Sequence, residues 1–164
     1  NSKYQVAQAE EAAKKEGLES VKYAVPSTNE IAQTVQVMSR QVDFIYVPLD
    51  NTIANAMQTV VKEANKANIP VIPSVDTMVE QGGLATIGIN QYQLGLQSGK
   101  MAAELASGKE KPETTPVYTF DQGDTVINQS QADRLGIIVP QSMKEKAKII
   151  TDDSQQETSK EDDK

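Results

Sequence analysis

The sequence predicts an α/β protein, a parallel sheet flanked by helices, and three observations carry that expectation. Two short, nearly continuous apolar runs, Asp43-Phe44-Ile45-Tyr46-Val47-Pro48 and Ile69-Pro70-Val71-Ile72-Pro73, have the look of strands covered on both faces. Segments with apolar residues at helical spacing alternate with these runs, and parallel strands need such crossovers. The turns that follow the runs are rich in Asn, Ser, Thr and Asp, residues that cap the start of a helix.

Taken in order, residues 4–16 form an Ala-rich helix with Val6, Ala9 and Ala13 on one face and Gly17 placed to end it. Residues 20–25 alternate as a strand, with Val21, Tyr23 and Val25 on one side. Ser27-Thr28-Asn29-Glu30 reads as a capping box, ahead of a helix whose stripe is Ile31, Val35 and Met38. After the first apolar run, Leu49-Asp50-Asn51-Thr52 is a strand-to-helix turn with Asp50 or Asn51 as N-cap. The helix beyond it carries Ile53, Met57, Val60, Val61 and Ala64 and closes near Asn68. In the second run the prolines suit the strand ends better than its middle.

From Ser74 onward the rhythm changes. Residues 76–81 form a short turn or helix ending in Gly82-Gly83, and residues 84–89 a strand. Asn90 caps a long helix to about Ser107, with Leu94, Met101 and Leu105 inward and Gly95 and Gly99 allowing close packing. A charged loop at 109–115 leads to short strands at 116–120 and 124–127 flanking Gln122-Gly123, a hairpin or bulge. A helix over 128–135 stops at Gly136, and residues 137–140 and 147–150 are the last apolar pieces.

Composition narrows the chemistry. A length of 164 residues suits one domain or one lobe of a larger protein. All 36 Leu, Ile, Val and Phe residues fall within the first 150, so residues 151–164, with six acids and two lysines, read as a disordered acidic tail. The absence of Cys and His removes Cys/His zinc sites, thiol nucleophiles and imidazole bases. A carboxylate-only metal site or a carboxylate pair among Asp50, Asp76 and Asp121 stays open, but no spacing demands either, and no enzyme is expected. No Gly-rich phosphate loop follows any strand, so no cofactor is expected. A net charge of −7, few aromatics and no basic run argue against nucleic acid. No apolar run is long enough to cross a membrane or to serve as a signal peptide. The chain opens at Asn1 without Met, and is read as a fragment or processed product.

In parallel α/β sheets ligands bind at the carboxyl ends of the strands. The turns at 25–28, 48–52 and 73–76 qualify, with Asn1-Ser2 joining them if a strand precedes the first helix. Their hydroxyls and amides suit a neutral or zwitterionic small molecule; Asp50 can offset an ammonium, and helix N-termini favour a carboxylate. Each residue also has a plain structural explanation. Ser27 and Glu30 are explained by capping alone; Asp50 and Asn51 are equally good N-caps, Ser74 can simply start a turn, and Asn90 is an ordinary N-cap.

Four segments also carry a resemblance: Val-Asp-Phe-Ile-Tyr-Val-Pro-Leu-Asp-Asn-Thr-Ile (42–53), Ile-Pro-Val-Ile-Pro-Ser (69–74), Gly-Leu-Ala-Thr-Ile-Gly-Ile-Asn (83–90) with Leu94-Gly95, and Ile-Asn-Gln-Ser-Gln-Ala-Asp-Arg-Leu-Gly-Ile-Ile-Val-Pro (127–140). Together they resemble the substrate-binding lipoproteins of the tryptophan/tyrosine-type ABC transporter family, which have the type I periplasmic binding protein fold. The opening Asn1-Ser2 is similar to the end of that family's Ser-x-Glu-Pro-Asn-Ser loop.

The resemblance runs to about Lys148 and covers the later half of family members, which have two lobes and a hinge. It implies a second-lobe segment at 1–75, the remaining lobe and hinge-crossing segments at 76–150, and a first lobe largely missing. It also implies capture of an amino acid, tryptophan or tyrosine in type, and delivery to ABC permease subunits by a monomer outside the cytoplasm. That monomer would be anchored by a lipidated N-terminus not included in this chain. Ligand contacts would be Asn1, Ser2, Asp50, Asn51, Ser74 and Asn90, with Asp50 on the ammonium and no metal. The effector domain of a LacI-like transcription regulator, which shares the fold class, is the alternative.

Overall fold

A computed structural model describes residues 2–119 and 123–151. The two apolar runs become β1 (Ile45–Val47) and β2 (Val71–Pro73), paired in parallel with Ile45 opposite Val71 and Val47 opposite Pro73. Period-two alternation puts Ile45, Val47, Val71 and Pro73 on one buried face. On that face sit α2 (Ile31–Met38), burying Ile31 and Val35, and α4 (Met57–Lys66), burying Met57, Val60, Val61 and Ala64. The short α5 (Asp76–Glu80) adds Met78 to the same core, and each such side chain removed from water stabilises by about 1.5–3 kcal/mol. The opposite face is more open than expected of strands covered on both sides: Tyr46 is 38% exposed and Ile72 half-buried.

Next to β2 lies β3 (Ala85–Gly88). Leu84 N–H donates to Val71 O at 2.7 Å, and a Cβ on Gly88 would stand 3.0 Å from Ser74 O, so β3 runs alongside β2 in the same direction. β3 nevertheless opens a second, three-stranded mixed sheet, in the order β3-β4-β5, separate from the two-stranded β1-β2 sheet. β4 (Asp124–Asn128) pairs antiparallel to β3, with Gly88 opposite Asp124, and β5 (Ala147–Ile150) pairs parallel to β4. Gly83 is required where α5 returns to the sheet, because a Cβ there would lie 2.7 Å from Pro73 Cγ.

Local signals decide most helix ends. Between β1 and α4, α3 (Asn51–Ala54) starts at Asp50, whose Oδ1 accepts from Thr52 N–H and Ile53 N–H. Asn90 Oδ1 accepts from Gln93 N–H at the start of α6 (Gln91–Ala106). Asn128 caps α7 (Gln129–Leu135), which stops at Gly136 in the left-handed region, φ 67°. The first helix, α1 (Lys3–Lys15), also forms as expected, though it buries no residue.

Other expectations are corrected. Residues 20–25 form no strand: they gain no ladder partner, and only Val25 packs against the core. Ser27 and Glu30 make no capping box. Their side chains bond each other, Ser27 Oγ donating to Glu30, ahead of a 3-10 turn at Thr28–Glu30. The single helix expected from Ile53 to Asn68 is broken at Ala56 (φ −125°, ψ 22°), and fully buried Met57 follows at once. Residues 116–119 are not a strand, and an unexpected α8 (Gln141–Lys144) follows the apolar piece at 137–140 and precedes β5. Helix α6 buries none of Leu94, Met101 and Leu105, and a Cβ on Gly95 or Gly99 would meet nothing. Phe120, Asp121, Gln122 and the tail beyond Thr151 lie outside the described residues.

One charged group is built into the packed body. Glu63, on the buried side of α4, accepts from Lys66 Nζ at 2.6 Å and from Gln36 Nε2 at 2.9 Å. Those bonds, from Lys66 first and Gln36 second, hold its carboxyl below its ordinary value of 4.5. A carboxylate with a lowered folded pKa stabilises the fold above its unfolded pKa, and that contribution is lost as pH falls through the lowered value. Wild-type melting temperature should therefore drop more steeply below about pH 4.5 than that of Glu63→Gln, which has no such proton to take up. Parallel acid melts by circular dichroism check this.

Candidate functional site

Strand direction brings three turns together. The carboxyl ends of β1, β2 and β3 are adjacent, because Ser74 N–H donates to Val47 O at 3.0 Å and Gly88 abuts Ser74 O. Neighbouring strands stand about 4.8 Å apart, so the turns at 48–51, 74–75 and 89–90 span roughly the length of one amino acid. The start of α1 reaches the same edge: Gln5 Oε1 accepts from Leu49 N–H at 2.9 Å, and Ser2, one turn earlier, is half-buried.

Along this edge the side chains have different degrees of freedom. Asp50 engages one carboxylate oxygen as the cap of α3. Asn51 is exposed on the first turn of that helix. Ser2 stands at the N-cap position of α1 with no side-chain cap bond. Ser74 Oγ is buried, and among the described residues it is the buried side-chain polar atom with no hydrogen-bond partner in the protein. Such an atom costs about 1–3 kcal/mol unless something supplies the bond. Its hydroxyl is out of solvent's reach in this arrangement, so contact with a ligand needs the neighbouring turns to part.

Asn90 differs from the others because both ends of its amide are engaged, Oδ1 with Gln93 N–H and Nδ2 with Asp124 Oδ2 at 2.9 Å. Asn1 lies outside the described residues. At the 25–28 turn, Ser27 Oγ donates to Glu30 Oε1 at 3.2 Å.

Three residues at or near this edge were not singled out from sequence. Gln5 tethers α1 to the 49–50 turn, and a Gln on a helix surface carries no signal of that. Asp124 holds Asn90, a pairing set by antiparallel register between segments far apart in sequence. Tyr46 shares β1 with the 48–50 turn, and burial raises its phenol pKa above 10.0. An aromatic in an apolar strand reads simply as core. Among the described residues no three His, Cys, Asp or Glu side chains cluster to hold a metal, and no helix is long and apolar enough to cross a membrane.

Residues 1–150 match the family described as ABC transporter substrate binding protein. The chain belongs to that family. It is 36% identical over 129 residues to a tyrosine-binding protein of Clostridioides difficile (strain R20291), covering 79% of this chain and 37% of that protein. Among solved structures, it is similar to an ABC domain in complex with L-Trp from Streptococcus pneumoniae. There the TM-score is 0.85 and the identity 47%, over 92% of this chain and 51% of the other. A conserved domain protein of Vibrio cholerae superposes with TM-score 0.81 at 28% identity, over 90% and 49% of the two chains. The ligand-free, open structure of a substrate-binding protein with adhesive properties from Clostridium difficile superposes with TM-score 0.72 at 35% identity, over 92% and 50%. The chain thus spans about half the length of the solved structures it matches and 37% of the curated relative. The α/β fold expected from sequence is the fold of these substrate-binding domains.

Proposed function

We propose that this chain is the ligand-facing half of an ABC importer's solute receptor, and that the receptor captures an aromatic amino acid of the tryptophan or tyrosine type. The observation that carries the proposal is the meeting of the 48–51, 74–75 and 89–90 turns at the adjoining carboxyl ends of β1, β2 and β3. It is supported by the family match and by relatives named for tyrosine binding or solved with L-Trp. Asp50 supplies the negative charge for the ligand ammonium through the oxygen not engaged in capping. Asn51 and Ser2 bond its polar groups, and Ser74 Oγ gains its missing partner from the ligand. Asn90 keeps its turn in place beside Ser74.

Aromatic stacking comes mostly from outside this chain, which has no Trp and only seven aromatic residues. Delivery to permease subunits and an extracytoplasmic, lipid-anchored, monomeric receptor complete the proposal. The family match favours this role over the effector domain of a LacI-like regulator. Titration calorimetry of the complete protein with L-tryptophan and L-tyrosine tests it. A dissociation constant near micromolar for one of them, about −8 kcal/mol, is the expected result; no heat with any amino acid overturns it.

A further inference from the structure

We propose that Gln5 is a positioning residue for ligand binding: by accepting from Leu49 N–H it fixes the start of α1 against the Asp50 turn, and so holds Ser2 at a set distance from Asp50. The proposal rests on the amino-acid-binding function above, and adds to it a residue that acts through Ser2 without touching the ligand.

α1 has little else to hold it. It buries no residue, whereas α2, α4, α5 and α7 all bury side chains. Among the described residues, two side-chain bonds join it to other segments. One runs from Lys22 Nζ to Glu10 Oε2 at 2.9 Å, and Lys22 is itself exposed on a stretch with no ladder partner. The other is Gln5 Oε1 accepting from Leu49 N–H, also at 2.9 Å, two residues beyond the end of β1. Gln5 is therefore the side chain that ties α1 to the sheet.

The bond falls where it bears on the site. Val47 O is taken by Ser74 N–H and Pro48 has no N–H to give, so Leu49 N–H is the first backbone donor after β1. The next residue, Asp50, is held independently by its own cap on Thr52 and Ile53. Ser2 has no such hold, since it stands at the N-cap of α1 with no side-chain cap bond. Ser2 and Gln5 are three residues apart, which puts them on one side of the helix and about 4.5 Å apart along its axis. Fixing Gln5 thus fixes Ser2, and a hydroxyl already in position costs less to order when a ligand arrives.

The test is a double-mutant cycle on the complete protein, titrated by calorimetry with L-tryptophan and L-tyrosine, with circular dichroism to confirm folding. Gln5→Met keeps the length of the side chain and its helix preference but removes the acceptor; the dissociation constant should rise about 5-fold. Gln5→Glu keeps an acceptor oxygen, and at about 0.5 M salt, where its charge is screened, should bind within about 2-fold of wild type. Ser2→Ala should cost about 5-fold in the wild-type background but less than about 2-fold in Gln5→Met, because the hydroxyl is already out of place. Asp50→Asn should cost the same in both backgrounds to within about 2-fold. A merely structural tether would leave the effects of Ser2→Ala and Asp50→Asn alike in both backgrounds. Gln5→Met binding like wild type, Ser2→Ala without effect, or Ser2→Ala costing as much with Met at position 5 overturns the positioning role while leaving the receptor function standing. A wild type silent to both amino acids overturns the function and the positioning role with it.

Discussion

Replacing Asp50 by asparagine is expected to weaken amino-acid binding by about 2–4 kcal/mol while leaving stability almost unchanged. The two effects separate because Asp50 has two jobs. One oxygen caps α3 through Thr52 and Ile53, and an asparagine oxygen caps about as well. The negative charge is a different matter. A ligand ammonium enclosed between closed lobes loses its water, and without a counter-charge its desolvation goes uncompensated. Asp50→Ala removes both functions, so its binding loss should be accompanied by about 1 kcal/mol of lost stability. Calorimetry paired with urea unfolding reads the two quantities separately; unchanged affinity in Asp50→Asn would reduce Asp50 to a helix cap.

Met78→Ala should destabilise the complete protein by about 2–5 kcal/mol, measured by denaturant unfolding. Met78 is 0% exposed on α5 and belongs to the cluster of Val71, Val75 and the α4 side chains. Its carbonyl also accepts from Gly83 N–H, where the chain returns to the sheet beside Pro73. Truncation leaves a cavity under the joint between β2 and β3, and Gly83, already in contact with Pro73, has little room to collapse into it. A cost below about 1 kcal/mol would mean that this joint packs more loosely than the geometry indicates.

What could be read directly from the sequence was local. The apolar runs of β1 and β2, the caps at Asp50 and Asn90 and the stop at Gly136 each depend on residues within a few positions of one another. Features that depend on distant partners were not legible. Residues 20–25 alternate like a strand, but among the described residues no neighbouring strand takes up their hydrogen bonds, and propensity without a ladder does not make one. The reversal from β3 to β4 is set by pairing across the long α6 excursion, so neither the mixed sheet nor the Asn90–Asp124 bond could be foreseen. The inward face assigned to α6 shows the same limit: Leu94, Met101 and Leu105 have the right spacing, but the described residues bury none of them.

The candidate site was legible in the same uneven way. Residue types at strand ends pointed to the turns of Asp50, Asn51 and Ser74, and the family resemblance added Ser2 and Asn90; all five lie at or near the adjoining carboxyl ends of β1, β2 and β3, and ligand contact by them is the proposal. Their division of labour was not readable, because it depends on which oxygen or amide is already engaged. Asp50 keeps one oxygen uncommitted to the cap, Ser74 Oγ has no partner in the protein, and Asn90 is bonded at both amide atoms.

The most direct test is a crystal structure of the complete protein grown with the amino acid that calorimetry selects. The account predicts the ligand between the lobes, its ammonium within about 3 Å of the Asp50 carboxylate and one of its polar atoms bonded to Ser74 Oγ. A ligand bound elsewhere, or one whose ammonium is met by another carboxylate while Asp50 only caps α3, would contradict it.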